Sequence, residues 1–188
     1  MAFLKKGIIG LFAVVAMAIL GGFVLPSQVH VERQAIINAS PDKVFAEVSD
    51  FNNWNAWSPW ANIDPDTTLT ITGKGIGQTM TWASDNPEVG SGTQQITQLD
   101  APRLITHHLD FGDMGVSDTA FALEPVGESA GESAGGATKV TWSLDTDMRK
   151  SVPLLNQPMS TYFGFFMDSM IGEKYEQGLA NLKTVVEQ

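Results

Sequence analysis

The stretch RLITHHLDFGDMGVSDTAFALE, residues 103–124, contains two runs of alternating apolar and polar residues joined by a short glycine-containing turn. Alternation with a period of two is typical of half-buried strands, whose successive side chains point to opposite faces of a sheet. In the first run Ile105, His107, Leu109 and Phe111 share one face. The short connection makes the two strands antiparallel, because a parallel crossover needs about a dozen residues or more. The stretch therefore predicts a β-hairpin with one apolar face.

The same alternation continues on both sides of this hairpin. Candidate strands lie at residues 67–73, 78–83, 90–100, 103–111, 116–124 and 138–147. Short segments rich in Gly, Pro and Asp separate them, as expected for turns between consecutive strands. The last connection contains a tandem duplication, GESA at 127–130 and again at 131–134, which a solvated hairpin tip tolerates at small entropic cost. The pattern predicts an antiparallel meander.

A further strand and two short helices are predicted before the meander. Residues 29–38 are rich in β-branched side chains, and Ser40 followed by Pro41 is a typical helix start. Asp50 can cap a second short helix, which Pro59 ends. On this second helix three large aromatic residues recur every three positions: Phe51, Trp54 and Trp57. Such spacing puts them on one face and predicts their burial.

The C-terminal part returns to a helical period. Apolar residues form one broad stripe, which predicts a single helix over residues 160–187 that is roughly 40 Å long. Gly164, Gly172 and Gly178 interrupt the stripe, each at a cost of about 1 kcal/mol relative to alanine. This cost indicates a close backbone approach or space beneath the helix.

Three segments in this order resemble the SRPBCC (START-like) superfamily, in particular its polyketide cyclase/dehydrase-like branch. They are INASPDKVFAEVSDFNNWNAWSPW at 37–60, KVTWSLD at 139–145 and MIGEKYEQGLANLKTVVE at 170–187. The resemblance implies an α+β helix-grip fold, in which a curved antiparallel sheet of about seven strands grips a long C-terminal helix. It also implies a largely apolar cavity between sheet and helix that holds lipids, sterols, polyketides or other hydrophobic molecules. Fold alone does not specify a reaction.

The N-terminal residues predict a membrane anchor. Residues 7–25 carry no charge and reach roughly 28 Å as a helix, close to the thickness of a bilayer's hydrocarbon core. Lys5 and Lys6 precede this run, which favours a cytoplasmic N-terminus. We therefore expect residues 1–26 to be a single-pass signal-anchor in the cytoplasmic (inner) membrane and residues 27–188 to be an extracytoplasmic, periplasmic domain. The competing interpretation is a cleaved signal peptide, whose apolar run is normally shorter.

Composition and spacing argue against several kinds of partner. The net charge of −10 at pH 7 would repel a phosphate backbone, so nucleic acid is not expected as a partner. The chain has no cysteine, and its three histidines lack the spacing of a zinc site. Asp110, Asp113 and Asp118 cluster around a turn, which suits either a carboxylate pair or loose calcium site, or local hydrogen bonding of the turn. Turns favour Asp for the second reason, which is the preferred interpretation. No metal, no cofactor and no catalytic residue is predicted.

Large, soft side chains on shared strand and helix faces are the candidates for lining the cavity, since Met and aromatic residues repack around different ligand shapes. The predicted set is Trp57, Trp60, Met80, Trp82, His107, Phe121, Trp142, Phe166, Met167 and Met170. The same residues also suit an ordinary filled core. Trp60, beyond the Pro59 break, is the tryptophan of this region most free to meet a ligand.

Three hypotheses for function follow. The first is a membrane-anchored domain that binds a hydrophobic small molecule or lipid. The second is a polyketide cyclase/dehydrase-like enzyme, in which inward-pointing His107 or a cavity acid moves a proton. The third is a non-catalytic envelope protein with a filled core and an exposed apolar patch that binds another protein. The absence of a convergent acid/base set in the sequence favours the first hypothesis over the second.

Overall fold

In a computed structural model of the chain, which describes residues 2–61, 63–127 and 136–188, the alternating segments form one antiparallel sheet. The described part contains seven strands: β1 Gln28–Ile37, β2 Thr68–Thr72, β3 Thr79–Ala83, β4 Ser91–Asp100, β5 Leu104–Asp110, β6 Val116–Val126 and β7 Ala137–Asp147. Every predicted strand is confirmed, with ends that differ by one or two residues. The GESA duplication lies, apart from Gly127, outside the described residues.

The strand order is β1-β7-β6-β5-β4-β3-β2. Strands β2 to β7 form the predicted meander, and β1 pairs with β7 at its far edge. Register aligns the apolar positions of neighbouring strands, because Ile105 on β5 pairs with Phe121 on β6, and Phe121 pairs with Trp142 on β7. The apolar side chains therefore form continuous rows on one face of the sheet.

The N-terminal helix α1 is Ala2–Val24. Its segment Lys6–Val24 has a mean hydropathy of 2.5 and is the one helix in the described part of the chain that is long and apolar enough to cross a membrane. Membrane anchors and signal sequences share this property. Almost all of this segment is exposed on the surface of the folded chain.

Both predicted helices after β1 are present, and their caps are the predicted ones. Helix α2 is Pro41–Val48, and the Ser40 side chain accepts a hydrogen bond from the Lys43 backbone N–H. A 3₁₀ helix follows at Phe51–Ala56, and the Asp50 carboxylate accepts from the Asn52 N–H at 2.9 Å. These caps satisfy backbone donors that the first turn of a helix leaves free. The Asp50 cap fixes the start of the 3₁₀ helix, which carries Phe51 and Trp54 towards the sheet.

The prediction of one continuous helix over residues 160–187 is wrong. The structure has α3 Gln157–Gly164 and α4 Met167–Val186. Between them the N–H groups of Phe165 and Phe166 donate to carbonyls only three residues earlier, so the α-helical hydrogen-bond pattern is interrupted. Helix α4 packs against β1, whereas α3 packs against α1. Two separate packing partners, which periodicity does not reveal, account for the break.

Two glycines of α4 sit where its backbone comes close to the sheet. A Cβ atom added at Gly178 would lie 2.7 Å from the Trp142 ring, and one at Gly172 would meet the Arg33 guanidinium. That guanidinium forms ion pairs with Asp168 at 2.9 Å and Glu176 at 2.8 Å, both on α4. The close backbone approach that these glycines indicate is confirmed.

Candidate functional site

A cavity of about 470 Å³ lies between the apolar face of the sheet, helix α4 and the segment that follows the 3₁₀ helix. Strands β2 to β7 all contribute side chains to its lining. Its volume falls in the range of ordinary small-molecule sites, which is about 300–1,000 Å³. The sheet supplies the floor, and α4 and the Trp60 segment supply the opposite wall.

Most of the cavity wall is apolar. The apolar lining residues are Trp54, Trp60, Ala61, Pro65, Leu69, Met80, Trp82, Val89, Leu109, Phe111, Trp142, Leu144 and Ile171. Several of the aromatic rings hold one another in place: Trp82 packs edge-on to Phe111 at 5.7 Å, and Trp60 packs edge-on to Trp142 at 6.1 Å between ring centroids. The wall therefore favours a ligand with a large apolar surface.

Thr119 organises a group of neutral polar atoms on the floor. Its hydroxyl donates to the Ser143 carbonyl, and the hydroxyl oxygen then accepts from Trp142 Nε1 at 3.1 Å and from the Tyr175 hydroxyl at 3.2 Å. Tyr175 also stacks on Trp142, with ring centroids 3.8 Å apart. Burial raises the pKa of Tyr175, outweighing the lowering by Thr119, so the phenol stays protonated at neutral pH.

Gln94 is the other polar residue of the floor, and it connects the cavity to His107. Gln94 Nε2 lies 3.1 Å from His107 Nδ1, and the His107 side chain is completely buried. Burial lowers the pKa of His107 to about 3, so the ring is neutral at physiological pH. Nε2 of His107 has no hydrogen-bond partner among the described residues. With Nδ1 accepting from Gln94, the network assigns the ring proton to Nε2.

Acidic and polar side chains lie at the rim of the cavity. Asp64 and Glu88 line it together with Asn55, Ser58 and Thr67. A hydrogen bond from the Ser84 hydroxyl lowers the pKa of Asp64, so this carboxylate is ionised at neutral pH. The rim is therefore negatively charged, which disfavours entry of an anionic ligand.

The structure places the predicted cavity residues in three settings. Trp60, Met80, Trp82 and Trp142 line the cavity. Trp57, His107 and Phe121 are at most 1% exposed and belong to the packed core beside it. On the C-terminal helices, Phe166 and Met170 are 61% and 49% exposed, and Met167 packs against the core. The last six do not line the cavity.

Sequence reasoning missed several residues of the lining. Leu109 and Phe111 share the strand parity of His107, and Ile171 and Tyr175 lie on the apolar stripe of α4, so their patterns contained a usable signal. Trp54 lines the cavity at its packed end, although it was predicted only to be buried. Thr119 shares the strand parity of Phe121, and Gln94 shares that of Ile96. Their polar side chains gave no reason to place them in an apolar lining, because a polar residue in a strand normally marks the solvent face. Other missed lining residues are Asn55, Ser58, Ala61, Asp64, Pro65, Thr67, Leu69, Glu88, Val89 and Leu144.

The family model described as polyketide cyclase / dehydrase and lipid transport matches residues 28–187, which is nearly the whole chain after α1. The chain belongs to this family. The resemblance to the START-like superfamily that the three segments carry is thereby confirmed, and so is the α+β fold with its seven-stranded antiparallel sheet and C-terminal helix. A family of this description is consistent with a ligand-binding domain.

Solved structures agree with this family assignment at the level of fold. A START superfamily protein from Mycobacterium smegmatis has a TM-score of 0.57 and 18% identity, covering 85% of this chain and 98% of its own. The ZhuI aromatase/cyclase from Streptomyces sp. R1128 has a TM-score of 0.56 and 15% identity, covering 85% and 94%. Norcoclaurine synthase from Thalictrum flavum has a TM-score of 0.56 and 13% identity, covering 85% and 93%. At these identities the likeness shows the fold alone, and comparison with curated proteins gives no match.

Proposed function

We propose that this member of the polyketide cyclase/dehydrase and lipid transport family binds a hydrophobic small molecule or lipid in the cavity, and that α1 anchors it to a membrane. The observation that carries the proposal is the cavity itself, about 470 Å³ with apolar walls and a small set of neutral polar groups on its floor. Sites for small molecules combine these two features, since apolar walls give affinity and a few polar groups fix orientation.

The lining also suggests the chemistry of the ligand. The Tyr175 hydroxyl oxygen can accept a hydrogen bond while its proton is donated to Thr119. The Gln94 amide has a second N–H and a carbonyl oxygen beyond its bond to His107. These groups suit a neutral hydroxyl or amide function, and the surrounding rings accept an extended apolar body. Asp64 and Glu88 give the rim a negative charge, which weakens binding of carboxylates and phosphates. We therefore expect a neutral or cationic lipid-like molecule with one polar end.

The enzyme hypothesis receives less support from the geometry. His107 lies outside the cavity lining, and among the described residues its side chain has a hydrogen bond with Gln94. Its lowered pKa makes it a poor proton acceptor at neutral pH. Tyr175, whose pKa is raised, keeps its proton and donates it to Thr119. These groups are better suited to orienting a bound molecule than to moving its protons.

Anchoring gives the cavity access to such ligands. A membrane concentrates hydrophobic molecules, and a helix with the length and hydropathy of α1 holds the domain beside it. The two lysines before the apolar run favour an orientation with the domain on the extracytoplasmic side of the inner membrane. Residues 1–26 would then be the anchor and residues 27–188 the binding domain.

Native mass spectrometry of the full chain, released from detergent micelles, tests the binding proposal. We expect a co-purified small-molecule adduct on the unchanged chain. Leu109→Glu should abolish the adduct, because it puts a carboxylate on the apolar cavity wall. Ile76→Glu is the matched control, since Ile76 is 65% exposed and outside the lining, and it should keep the adduct.

Two results would count against binding in this cavity: no adduct on the unchanged chain, or equal adducts on the two variants. Circular dichroism of both variants establishes that they are folded before their adducts are compared. If the unchanged chain converts the bound molecule chemically, and His107→Gln loses this conversion but keeps the adduct, the enzyme hypothesis would be favoured instead.

A further inference from the structure

The segment around α3 is apolar on its outside. Residues 151–167 contain no charged side chain, whereas Arg149 and Lys150 precede them and Asp168 follows. Six large apolar residues of this segment are exposed: Leu154, Leu155, Met159, Phe163, Phe165 and Phe166, with values from 44% to 92%. We call these six residues the α3 apolar surface. Large apolar side chains exposed this close together in one segment are typical of an interaction surface.

Helical spacing orders this surface. Leu155, Met159, Phe163 and Phe166 follow one another at intervals of four, four and three residues, so they follow one side of α3 and of the turns that flank it. Pro158 and Thr161 are buried against the rest of the protein. The exposed side of α3 is thus its more apolar side, the reverse of the usual arrangement in a water-soluble protein.

Helix α3 packs directly against α1, the helix that can cross a membrane. The Tyr162 hydroxyl donates to the Ala18 carbonyl of α1 at 2.7 Å. Gly22 of α1 lies against Pro158, and a Cβ atom there would come within 2.5 Å of the Pro158 backbone. The lack of a side chain at Gly22 lets the two helices touch, so the α3 apolar surface lies beside the end of the apolar helix.

Arg149 ties the end of α1 to the domain. Its guanidinium donates to the Phe23 carbonyl at 2.6 Å, to the Leu25 carbonyl at 3.4 Å and to the Ser27 hydroxyl at 2.8 Å. A cation at this position satisfies free carbonyls and suits the negative end of the helix dipole. Arginine also suits the headgroup level of a membrane, where its charge stays in water. Arg149 therefore fixes the position of the domain relative to the C-terminal end of α1.

We propose that the α3 apolar surface is a second membrane contact. It would be embedded in the leaflet that faces the domain, beside the C-terminal end of α1. The proposal rests on the anchoring part of the proposed function. The Ala18 carbonyl that Tyr162 contacts lies six residues before the end of α1 at Val24, which is a depth of roughly 9 Å along the helix. Amphipathic helices at membrane surfaces bury their apolar side to a depth of about 5–10 Å.

This contact would bring the cavity close to the lipid. Helix α4 begins directly after the α3 apolar surface, and its Ile171 lines the cavity. Ile171 lies five positions after Phe166, which is roughly 7.5 Å along a helix axis. Met170, between them in sequence, is 49% exposed. The proposed contact would therefore hold the cavity a short distance from the bilayer.

Site-directed spin labelling of the full chain tests this proposal. The chain has no cysteine, so single variants such as Leu155→Cys and Met159→Cys each carry one nitroxide label. After reconstitution in phosphatidylcholine vesicles, collisions with oxygen, which dissolves in lipid, are compared with collisions with a water-soluble nickel chelate. We expect a higher oxygen-to-chelate ratio at positions 155 and 159 than at Ile76→Cys, the exposed control on the β2–β3 connection.

A label at Leu11→Cys, within α1, separates failure of this proposal from failure of the anchor. If position 11 is in hydrocarbon while positions 155 and 159 resemble position 76, the anchor stands and the second contact is overturned. An aqueous ratio at position 11 overturns the anchor and the second contact together. Low access of both oxygen and chelate at positions 155 and 159 indicates a protein partner, such as a second copy of the chain, and also overturns the proposal.

Discussion

The two ends of strand β5 differ in what covers them, although they share one alternating pattern. At one end Ile105 and His107 are completely buried, and the His107 ring lies 5.4 Å from the ring centroid of Trp54. At the other end Leu109 lines the cavity, and so does Phe111 directly after the strand. All four side chains point to the same face of the sheet. The comparison shows that alternation sets which side chains point inward, but the element on top decides whether they are packed or line a space.

The packed end owes its density to the aromatic residues of the 3₁₀ helix and its C-terminal cap. Phe51, Trp54 and Trp57 are all at most 4% exposed and interlock mainly edge to face with one another and with the sheet. The helix is short, so it covers only part of the sheet, and the chain after it passes over the cavity as a wall. Trp60, three residues after Trp57, lies in that wall.

The largest expected effect is a difference in stability between a variant at the packed end and a variant at the cavity wall. Trp57→Ala should reduce the free energy of unfolding by about 3–5 kcal/mol, because it leaves a large void in a packed core. Trp60→Ala is the matched variant at the cavity wall, and it should cost clearly less because Trp60 is only partly buried. Urea unfolding of both full-length variants in a mild detergent measures the difference. Equal losses would contradict the distinction between a packed end and a hollow end.

A smaller loss of stability is expected at the cavity floor. Thr119 lines the cavity there and pairs with His107 of the packed end. Thr119→Val keeps the shape of the side chain but removes the acceptor of the Trp142 N–H and the Tyr175 hydroxyl. Leaving buried polar groups without a partner should cost about 1–3 kcal/mol in unfolding free energy. The exposed Thr81 on β3 gives a control, since Thr81→Val should change stability by no more than about 0.5 kcal/mol. A Thr119→Val variant as stable as this control would refute the role of the hydroxyl.

The smallest expected effect is a loss of unfolding free energy at acid pH, which arises from the buried His107 at the packed end. Its pKa is about 3 in the folded chain, and 6.5 is the ordinary value. Below pH 6.5 the unfolded chain therefore binds a proton that the folded chain does not, and stability is lost as the pH falls from 6.5 towards 3. Between about pH 7 and about pH 5.5 this contribution should lower the free energy of unfolding by about 1 kcal/mol.

Unfolding at both pH values, compared with His107→Gln, isolates this contribution from those of other titrating groups. The variant should lose less stability on acidification than the unchanged chain. The same loss in both would show that His107 is not buried in its neutral form, and the packed end would then be more open than its geometry indicates.

Much of the fold is predictable from local patterns. Strand alternation, the capping residues Ser40 and Asp50, and the apolar stripe of α4 each depend on neighbours in sequence, and the structure has all of them. The break between α3 and α4 was not predictable in this way, because α3 packs against α1 and α4 packs against β1. Contacts between segments that are distant in sequence leave no periodic signal.

The candidate site was predictable only in part, and the reason is similar. Met80 and Trp82 line the cavity as their parity suggests, while Phe121 has an equally suitable parity and is fully buried. The floor residues Gln94 and Thr119 are polar, so their inward position follows from strand register and not from their chemistry.

The sequence by itself determined which residues form strands and helices, which strand faces are apolar, and which superfamily the chain resembles. Tertiary structure alone decided where the interior is filled and where it is hollow, which neutral polar groups meet at Thr119, and which helix lies beside α1. The physical reason is that periodicity records the environment of a side chain relative to its own backbone. Whether another element fills the space above that side chain depends on contacts between distant parts of the chain.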